Sequence, residues 1–227
     1  MRWERVQQTS EKRKQTSNMA DTMTPDHFSD VTRLDGIEAD CWRLLQAAVQ
    51  DRSCGWRLPA LATFLNNEVR QRTVVLRKVN VQSRRIFVHT DIRSPKYNSI
   101  LSNPNVSWLF YDAARQVQLQ LTGPATVHTD ADIADRIWRD EPESSLRAYL
   151  APHVPGSVRP APESNLPDDV EQRIPERDEL STARANFAVI SCEVGAADWL
   201  LLRPNGNLRA RFTYEAGAVS TIDWLAP

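Results

Sequence analysis

Alternation of apolar and polar residues dominates the middle and the C-terminal part of the chain, and it predicts β-strands there. In the stretch QVQLQLTGPATVH, Val117, Leu119 and Leu121 alternate with glutamines, as in a strand with one buried face. Similar or β-branched-rich stretches are LATFL, RTVVLRKVNV, RRIFVHTD, VSWLFYD, NFAVISCEVGAADWLLLRP, LRARFTYE and STIDWL. The pattern therefore predicts a mainly antiparallel β protein.

Helical spacing of apolar residues occurs in three places. The stretch GIEADCWRLLQAAVQDRS has apolar residues three and four apart between Cys41 and Val49, which predicts an amphipathic helix. A short helix is predicted over SPKYNSILSNP, with Ser94 at its N-cap. TDADIADRIWRDEPESSLRAYLA forms the third, with Ile133 and Trp138 on one side. Short strands with a few helices between them favour a β-barrel with α-helices packed on it.

The ends of these patterns define one domain. Residues 1–33 are polar and charged, so we expect a disordered N-terminal tail without the apolar core of a signal peptide. Residues 34–227 are predicted to form the domain, a size that suits one hydrophobic core. A segment rich in proline and charge, about 151–178, is predicted to be a surface insertion.

Composition excludes several classes of protein. With 28 basic and 29 acidic residues the net charge is −1, so there is no overall positive field for nucleic acid. No stretch approaches the ~20 apolar residues of a membrane-spanning helix. The three cysteines are widely spaced and suit a reducing compartment, so we expect a cytoplasmic protein. No metal site is predicted. The metal-like cluster in HTDAD (His128, Asp130, Asp132) is better explained by capping of the following helix, whose N-terminus favours acidic residues.

The stretch HTDIRSPK suggests an anion-binding site. It places Arg93, Ser94 and Lys96 within one turn of a predicted helix start, where backbone N–H groups are free. Arg72 and Arg77 flank the strand upstream and are a second source of positive charge. In a regular strand these two arginines face opposite sides, so only an irregularity lets both reach one ligand. The alternative interpretation is an ordinary capped helix with solvated cations.

The order of these motifs resembles the pyridoxamine 5'-phosphate oxidase-like family of FMN-binding split barrels, over about residues 38–227 without the insertion. The motifs that carry the resemblance are RTVVLR, FVHTDIRSPK, NPNVSWLFYD, RQVQLQLTGPATV and WLAP. The resemblance implies a six-stranded split β-barrel with packed α-helices. It also implies a homodimer that binds FMN in a cleft between its subunits.

The resemblance assigns residues to the FMN phosphate. Arg72, Ser94 and Lys96 match the family's phosphate-binding positions. Pro95 replaces an arginine of the family, and we expect Arg93 to supply that charge from two residues earlier in the chain.

A second set of residues is implied along the flavin. It consists of Thr73, Val74, Leu76, Arg77, His89, Thr90, Gln116, Trp199 and Arg211. Gln116 would hydrogen-bond the ring, and Trp199 and Arg211 would reach the cofactor from the partner subunit. Without the resemblance, Trp199 reads as a core residue, Arg211 as a solvent-facing arginine and His89 as a structural histidine.

The substrate side matches less well. The family's Arg-Leu-His element reads NLR here, which leaves Arg209 as the candidate for the substrate, with Tyr149 and Arg159 as possible replacements for other positions. We therefore expect an FMN-dependent oxidoreductase that acts on a small molecule, without an identifiable catalytic residue. The alternatives are a flavin or quinone reductase with a nicotinamide donor, and an FMN-binding module without catalysis.

Overall fold

A computed structural model describes residues 28, 30–129 and 131–227, so most of the predicted tail lies outside the described residues. The strands of the described part are β1 (Ala60–Leu65), β2 (Glu68–Thr73), β3 (Lys78–Asn80), β4 (Arg85–Asp91), β5 (Asn105–Asp112), β6 (Val117–His128), β7 (Phe187–Glu193), β8 (Ala196–Leu201), β9 (Leu208–Glu215) and β10 (Ala218–Leu225). Its α-helices are α1 (Leu34–Ala48), α2 (Pro95–Ser102), α3 (Arg136–Asp140), α4 (Glu143–Leu146) and α5 (Asp168–Glu171).

The strands form one antiparallel sheet that does not close on itself. Its main path runs β10-β9-β8-β6-β5-β1-β2, and a branch adds β7, β4 and β3. Strand β6 joins the two parts, because residues 117–122 pair with β8 and residues 125–128 pair with β7. The prediction of a mainly β protein with packed helices is confirmed, although the described residues form ten strands where six were expected.

Gly123 allows β6 to change partners. A Cβ atom at this position would lie 1.9 Å from the carbonyl oxygen of Glu193 and 3.0 Å from the nitrogen of Gly195. Only glycine permits so close an approach of two backbones. The site described below depends on this crossing, because it brings β4 and β7 against the larger part of the sheet.

Two apolar clusters stabilise the fold. The larger one joins apolar residues of α1 to those of the strands and contains the fully buried Trp42, Trp56, Trp108 and Trp199. The smaller one lies between β7 and the helices that follow β6, around Phe187. No helix of the described residues is long and apolar enough to cross a membrane.

Two predicted elements differ from the structure. The expected strand RTVVLRKVNV is interrupted: β2 ends at Thr73 and pairing resumes at Lys78, because the N–H groups of Val74 and Leu76 bond to Pro59 and Arg57 instead. The helix expected after β6 is broken into α3, α4 and single turns. Pro142 explains the break before α4, because proline disfavours helical geometry in the residue that precedes it, here Glu141.

Candidate cofactor site

The exit of β4 brings two buried hydroxyl groups and one ammonium group together. Thr90, near the end of β4, lies 3.1 Å from Ser94 between their side-chain oxygens. The Nζ atom of Lys96 donates to Thr90 Oγ1 at 3.2 Å and to Ser94 Oγ at 3.1 Å. Ser94 is the N-cap of α2, but its hydroxyl makes no capping bond to the helix. The first N–H groups of α2 therefore have no side-chain cap.

Arg72 on β2 brings a second cation close to Lys96. Its Nη1 donates to the carbonyl oxygen of Leu61 at 3.1 Å and to Thr63 Oγ1 at 2.8 Å. Burial, and then repulsion from Arg72, lower the pKa of Lys96. Burial likewise lowers the pKa of Arg72. Within the described residues neither cation forms an ion pair, so their hydrogen bonds go to neutral oxygens.

Arg93 does not join this pair. Its guanidinium binds the Asp91 carboxylate with two short bonds, Nε to Oδ1 at 3.0 Å and Nη2 to Oδ2 at 2.7 Å. This ion pair raises the pKa of Arg93 and compensates its charge. In this structure the Arg93 guanidinium is thus engaged by Asp91, and its role as the replacement for the missing phosphate arginine stays a prediction.

Arg77 and His89 lie at a neighbouring polar cluster. Arg77 Nη1 is 3.5 Å from Glu141 Oε2 and donates to Ser145 Oγ at 3.3 Å. The imidazole of His89 is almost fully buried, edge-on to Phe187 at a centroid distance of 5.0 Å. Burial, with a smaller effect from Arg77, lowers the pKa of His89 to about 3. His89 is therefore neutral at physiological pH.

Residues 73–77, which lead from β2 to β3, have few groups available to a ligand. Thr73 is exposed, whereas the side chains of Val74 and Leu76 are buried in the larger core. The N–H groups of Val74 and Leu76 bond within the fold, and that of Arg77 donates to Phe87. In this part of the described chain, Val75 is the residue whose N–H makes no recorded hydrogen bond. Contacts of Val74 and Leu76 with a ligand would therefore be through their carbonyl groups.

Gln116 and Trp199 make no hydrogen bond to Arg72 or Lys96 within the described residues. Gln116 lies exposed in the turn between β5 and β6, with a left-handed φ of 56° and its amide 3.4 Å from the Ala113 carbonyl oxygen. Trp199 is fully buried, edge-on to Phe28 at 5.4 Å. Trp199 is thus a core residue of this chain, and its contact with a cofactor stays a prediction.

Arg209 and Arg211 lie together on β9. Arg209 Nε donates to Asp198 Oδ1 at 2.9 Å, and Arg211 Nη2 donates to Asp198 Oδ2 at 3.1 Å. They line a cavity of about 360 Å³ with Gln120 and Thr213. Both arginines are thus engaged by one carboxylate.

The register places Arg211 and Arg72 on opposite faces of the sheet. Arg72 pairs with Leu61, which faces the core. Arg211 pairs with Asp198, which pairs with Gln120 on the outer face. Arg211 can therefore reach a ligand at Arg72 only from a second chain.

Comparison with known families identifies the domain that carries the two cations. Residues 39–129 match the family model described as pyridoxamine 5'-phosphate oxidase, FMN-binding domain. Residues 39–129 belong to this FMN-binding family. The resemblance predicted from the motifs is confirmed, and so is FMN as the cofactor of the domain. No curated protein matches the chain in sequence.

Solved structures confirm the split-barrel fold of this FMN-binding domain. A pyridoxamine 5'-phosphate oxidase-related, FMN-binding protein from Nostoc punctiforme is 19% identical with a TM-score of 0.62, over 83% of this chain and 96% of that one. PhzG from Burkholderia lata, solved in complex with tetrahydrophenazine-1-carboxylic acid, is 14% identical with a TM-score of 0.60, over 91% and 98%.

The residues at the exit of β4 fit FMN. Its terminal phosphate is a dianion, and Arg72 and Lys96 are two partly buried cations whose pKa values are lowered. Binding of an anion favours their charged forms, with Ser94 and the first N–H groups of α2 as further donors. The Val75 N–H, which makes no hydrogen bond in the described part of the fold, is free to donate to a ligand.

Two contributors to the site were missed from sequence. Thr63 accepts a bond from Arg72, and Glu141 pairs with Arg77. The alternation of LATFL marked Thr63 only as a strand residue. Glu141 stands 64 positions after Arg77 in the chain, and no local pattern connects them.

Proposed function

We propose that the protein is an FMN-dependent oxidoreductase acting on a small molecule, with the FMN phosphate bound by Arg72, Ser94 and Lys96. The observation that carries the proposal is the approach of Arg72 and Lys96, which donate only to neutral oxygens among the described residues. Bound FMN supplies the transfer of electrons between a donor and an acceptor.

The residues of the chain then have distinct tasks. Thr90 and Ser94 orient the Lys96 ammonium through bonds of 3.2 and 3.1 Å. Thr63 orients Arg72 in the same way. His89, with a pKa lowered to about 3, acts near neutral pH as a neutral hydrogen-bonding group and not as an acid. A hydride transfer suits such a site, because it needs no proton from the protein.

We further propose a homodimer that completes the site. The outer face of the sheet exposes Phe64, Val69, Leu109 and Tyr111, and a cavity of about 500 Å³ lies between β2, β1, β5 and β6. Exposed apolar patches of this kind mark interaction surfaces. The same face carries Arg211, and a second chain is what allows it to approach FMN. This arrangement supports a second copy of the chain as the partner.

A cytoplasmic location is part of the proposal. Cys41, Cys54 and Cys192 are free thiols, as expected in a reducing compartment.

The experiment that tests the phosphate site is removal of both cations. In an Arg72→Ala and Lys96→Ala double variant we expect FMN affinity to fall at least about 100-fold, because two charge-assisted contacts are lost. Arg70→Ala is the matched control: Arg70 lies on the same strand and face but is exposed and pairs with Glu68. Absorbance of the bound flavin after gel filtration gives the readout. Wild-type affinity in the double variant would rule out this phosphate site.

A reductase with a nicotinamide donor is the second candidate. It is favoured by Glu141 beside Arg77 and by Asp198 beside Arg209, because these carboxylates compensate cations that a phosphorylated substrate would need. Anaerobic reduction of bound FMN by reduced nicotinamide, compared with pyridoxamine phosphate, separates the two candidates. A flavin that resists both donors would instead indicate binding without catalysis.

A further inference from the structure

Arg77 and Glu141 form an ion pair without a hydrogen bond between them. The nearest atoms, Arg77 Nη1 and Glu141 Oε2, are 3.5 Å apart and make no hydrogen bond. Glu141 Oε2 is buried and has no hydrogen-bond partner within the described residues. Glu141 Oε1 lies 3.9 Å from His89 Nε2, which is also beyond hydrogen-bond distance. The carboxylate is therefore an acceptor that the fold does not satisfy.

The Arg77 guanidinium also has hydrogen-bonding capacity that the fold does not use. Its recorded hydrogen bond within the described residues is the 3.3 Å bond from Nη1 to Ser145 Oγ, although arginine carries five N–H donors. The Arg77 side chain is 23% exposed, so its remaining N–H donors are open to a ligand. The buried atom without a partner is Glu141 Oε2, and such an atom has a cost comparable to a lost hydrogen bond. A donor array and an acceptor thus lie side by side, each with unused capacity.

Several side chains beside the pair carry no charge near neutral pH, and Arg177 donates to the backbone carbonyl oxygen of Glu141 at 3.0 Å. His89 is neutral and Ser145 is uncharged. Burial raises the pKa of Tyr149; Arg77 opposes that rise, and Asp91 and Glu141 add to it. Glu141 repels a phosphate and compensates the cation that would attract it. A neutral group with a carbonyl for Arg77 and an N–H for Glu141 fits both partners at once.

We propose that Arg77 and Glu141 together recognise a carboxamide-type edge, and that Glu141 excludes phosphate esters and carboxylates from this position. The inference rests on the proposed function, since it assigns this edge to the ligands of the FMN site. Two sources offer such chemistry: the carboxamide of a substrate, and the carbonyl and N–H edge of the flavin ring.

The test compares nicotinamide with nicotinate, which have similar shapes but differ in this edge. Ligand-observed NMR titration of the FMN-loaded wild type is expected to show a preference for nicotinamide. Glu141→Gln keeps the shape and removes the charge, so we expect that preference to fall about tenfold, as for one lost charge-assisted hydrogen bond. Glu143→Gln is the matched control, because Glu143 begins α4 close by but faces Arg177 at 3.5 Å. A wild-type preference in Glu141→Gln, together with unchanged FMN affinity, would overturn the proposal.

A second measurement separates the two sources. If the edge belongs to the flavin, Glu141→Gln lowers FMN affinity about tenfold while Glu143→Gln does not, and nicotinamide does not bind the loaded protein. If it belongs to a substrate, FMN affinity is unchanged and only the nicotinamide preference falls. Titration of FMN-free protein with FMN keeps the tests apart. Failure of FMN to bind contradicts the proposed function. Binding of FMN, together with equal binding of nicotinamide and nicotinate and unchanged FMN affinity in Glu141→Gln, contradicts the Arg77–Glu141 assignment.

Discussion

The ammonium group of Lys96 donates to the hydroxyl of Ser94 over 3.1 Å, and in the described chain it has no carboxylate partner. Asp91, the carboxylate that acts on the Lys96 pKa, is bound by Arg93. Burial and Arg72 both disfavour its charge. The FMN-free protein therefore contains an electrostatic cost at this position that a phosphate would relieve.

Replacement of Lys96 by methionine should separate stability from binding. In Lys96→Met we expect the free energy of unfolding of FMN-free protein to rise by on the order of 1 kcal/mol, because a partly desolvated cation is removed. FMN affinity should fall at least about tenfold. Urea unfolding and fluorescence titration measure the two quantities, with the exposed Lys78→Met as control.

The difference in free energy of unfolding between Lys96→Met and the wild type should depend on pH. Because the pKa of Lys96 is lower in the folded state, the cost is complete below that folded pKa and disappears as the pH rises through it towards the unfolded value. The stability advantage of Lys96→Met should therefore shrink at alkaline pH. A variant less stable than wild type at neutral pH would contradict the idea of an unrelieved cation.

His89 should make the fold sensitive to acid. Its pKa is about 3 in the folded protein against an ordinary 6.5, so the unfolded chain binds one more proton between these values. Stability due to neutral His89 is complete above pH 6.5 and is lost as the pH falls towards 3, with a slope of up to about 1.4 kcal/mol per pH unit. The residues that surround the His89 imidazole are Arg77, Glu141 and Phe187.

Measurement of that slope in His89→Phe gives the check. We expect the slope of unfolding free energy against pH to decrease by about one proton in this variant. His153→Phe, in which a half-exposed histidine is replaced, is the control for the loss of one imidazole. Equal slopes in wild type and His89→Phe would show that the imidazole is protonated in the folded state.

Local patterns predicted the elements that depend on local sequence. The amphipathic helix over α1, the strand before HTDIRSPK and the alternation of β6 were all recognised, because their periodicity is set by one buried face. The segment 74–77 was misjudged as a strand, since its N–H groups bond to Pro59 and Arg57 across the fold. Hydrogen bonds to residues that are distant in the sequence cannot be recognised from a stretch of β-branched residues.

The site was predictable where its residues are neighbours in the chain. Thr90, Ser94 and Lys96 stand within seven positions and meet as hydrogen-bond partners. Arg93 forms an ion pair with Asp91, which stands two residues earlier in the chain, and its role at the phosphate stays a prediction. Glu141 could not be found, because its approach to Arg77 depends on how the helices after β6 pack.

The outer face of the sheet should control assembly and FMN binding together. Leu109→Lys places a charge in the exposed apolar patch with Phe64 and Tyr111. We expect the wild type to sediment at twice its 25.8-kDa chain mass and the variant as a monomer with reduced FMN content. Val158→Lys, at a position that is 97% exposed in the insertion, should remain dimeric. A monomeric variant that retains full FMN affinity would show that Arg211 takes no part in the site.

The crossing at Gly123 should tolerate no side chain. In Gly123→Ala the new methyl group would lie 1.9 Å from the Glu193 carbonyl oxygen, so the backbones of β6 and β7 must separate. We expect a loss of about 3 kcal/mol or more in the free energy of unfolding. Gly195→Ala is the matched control, because its nearest atom, the Thr122 carbonyl oxygen, is 3.8 Å away at ordinary contact distance. Urea unfolding of both variants tests the crossing, and equal stability of the two would mean that β6 does not change partners at Gly123.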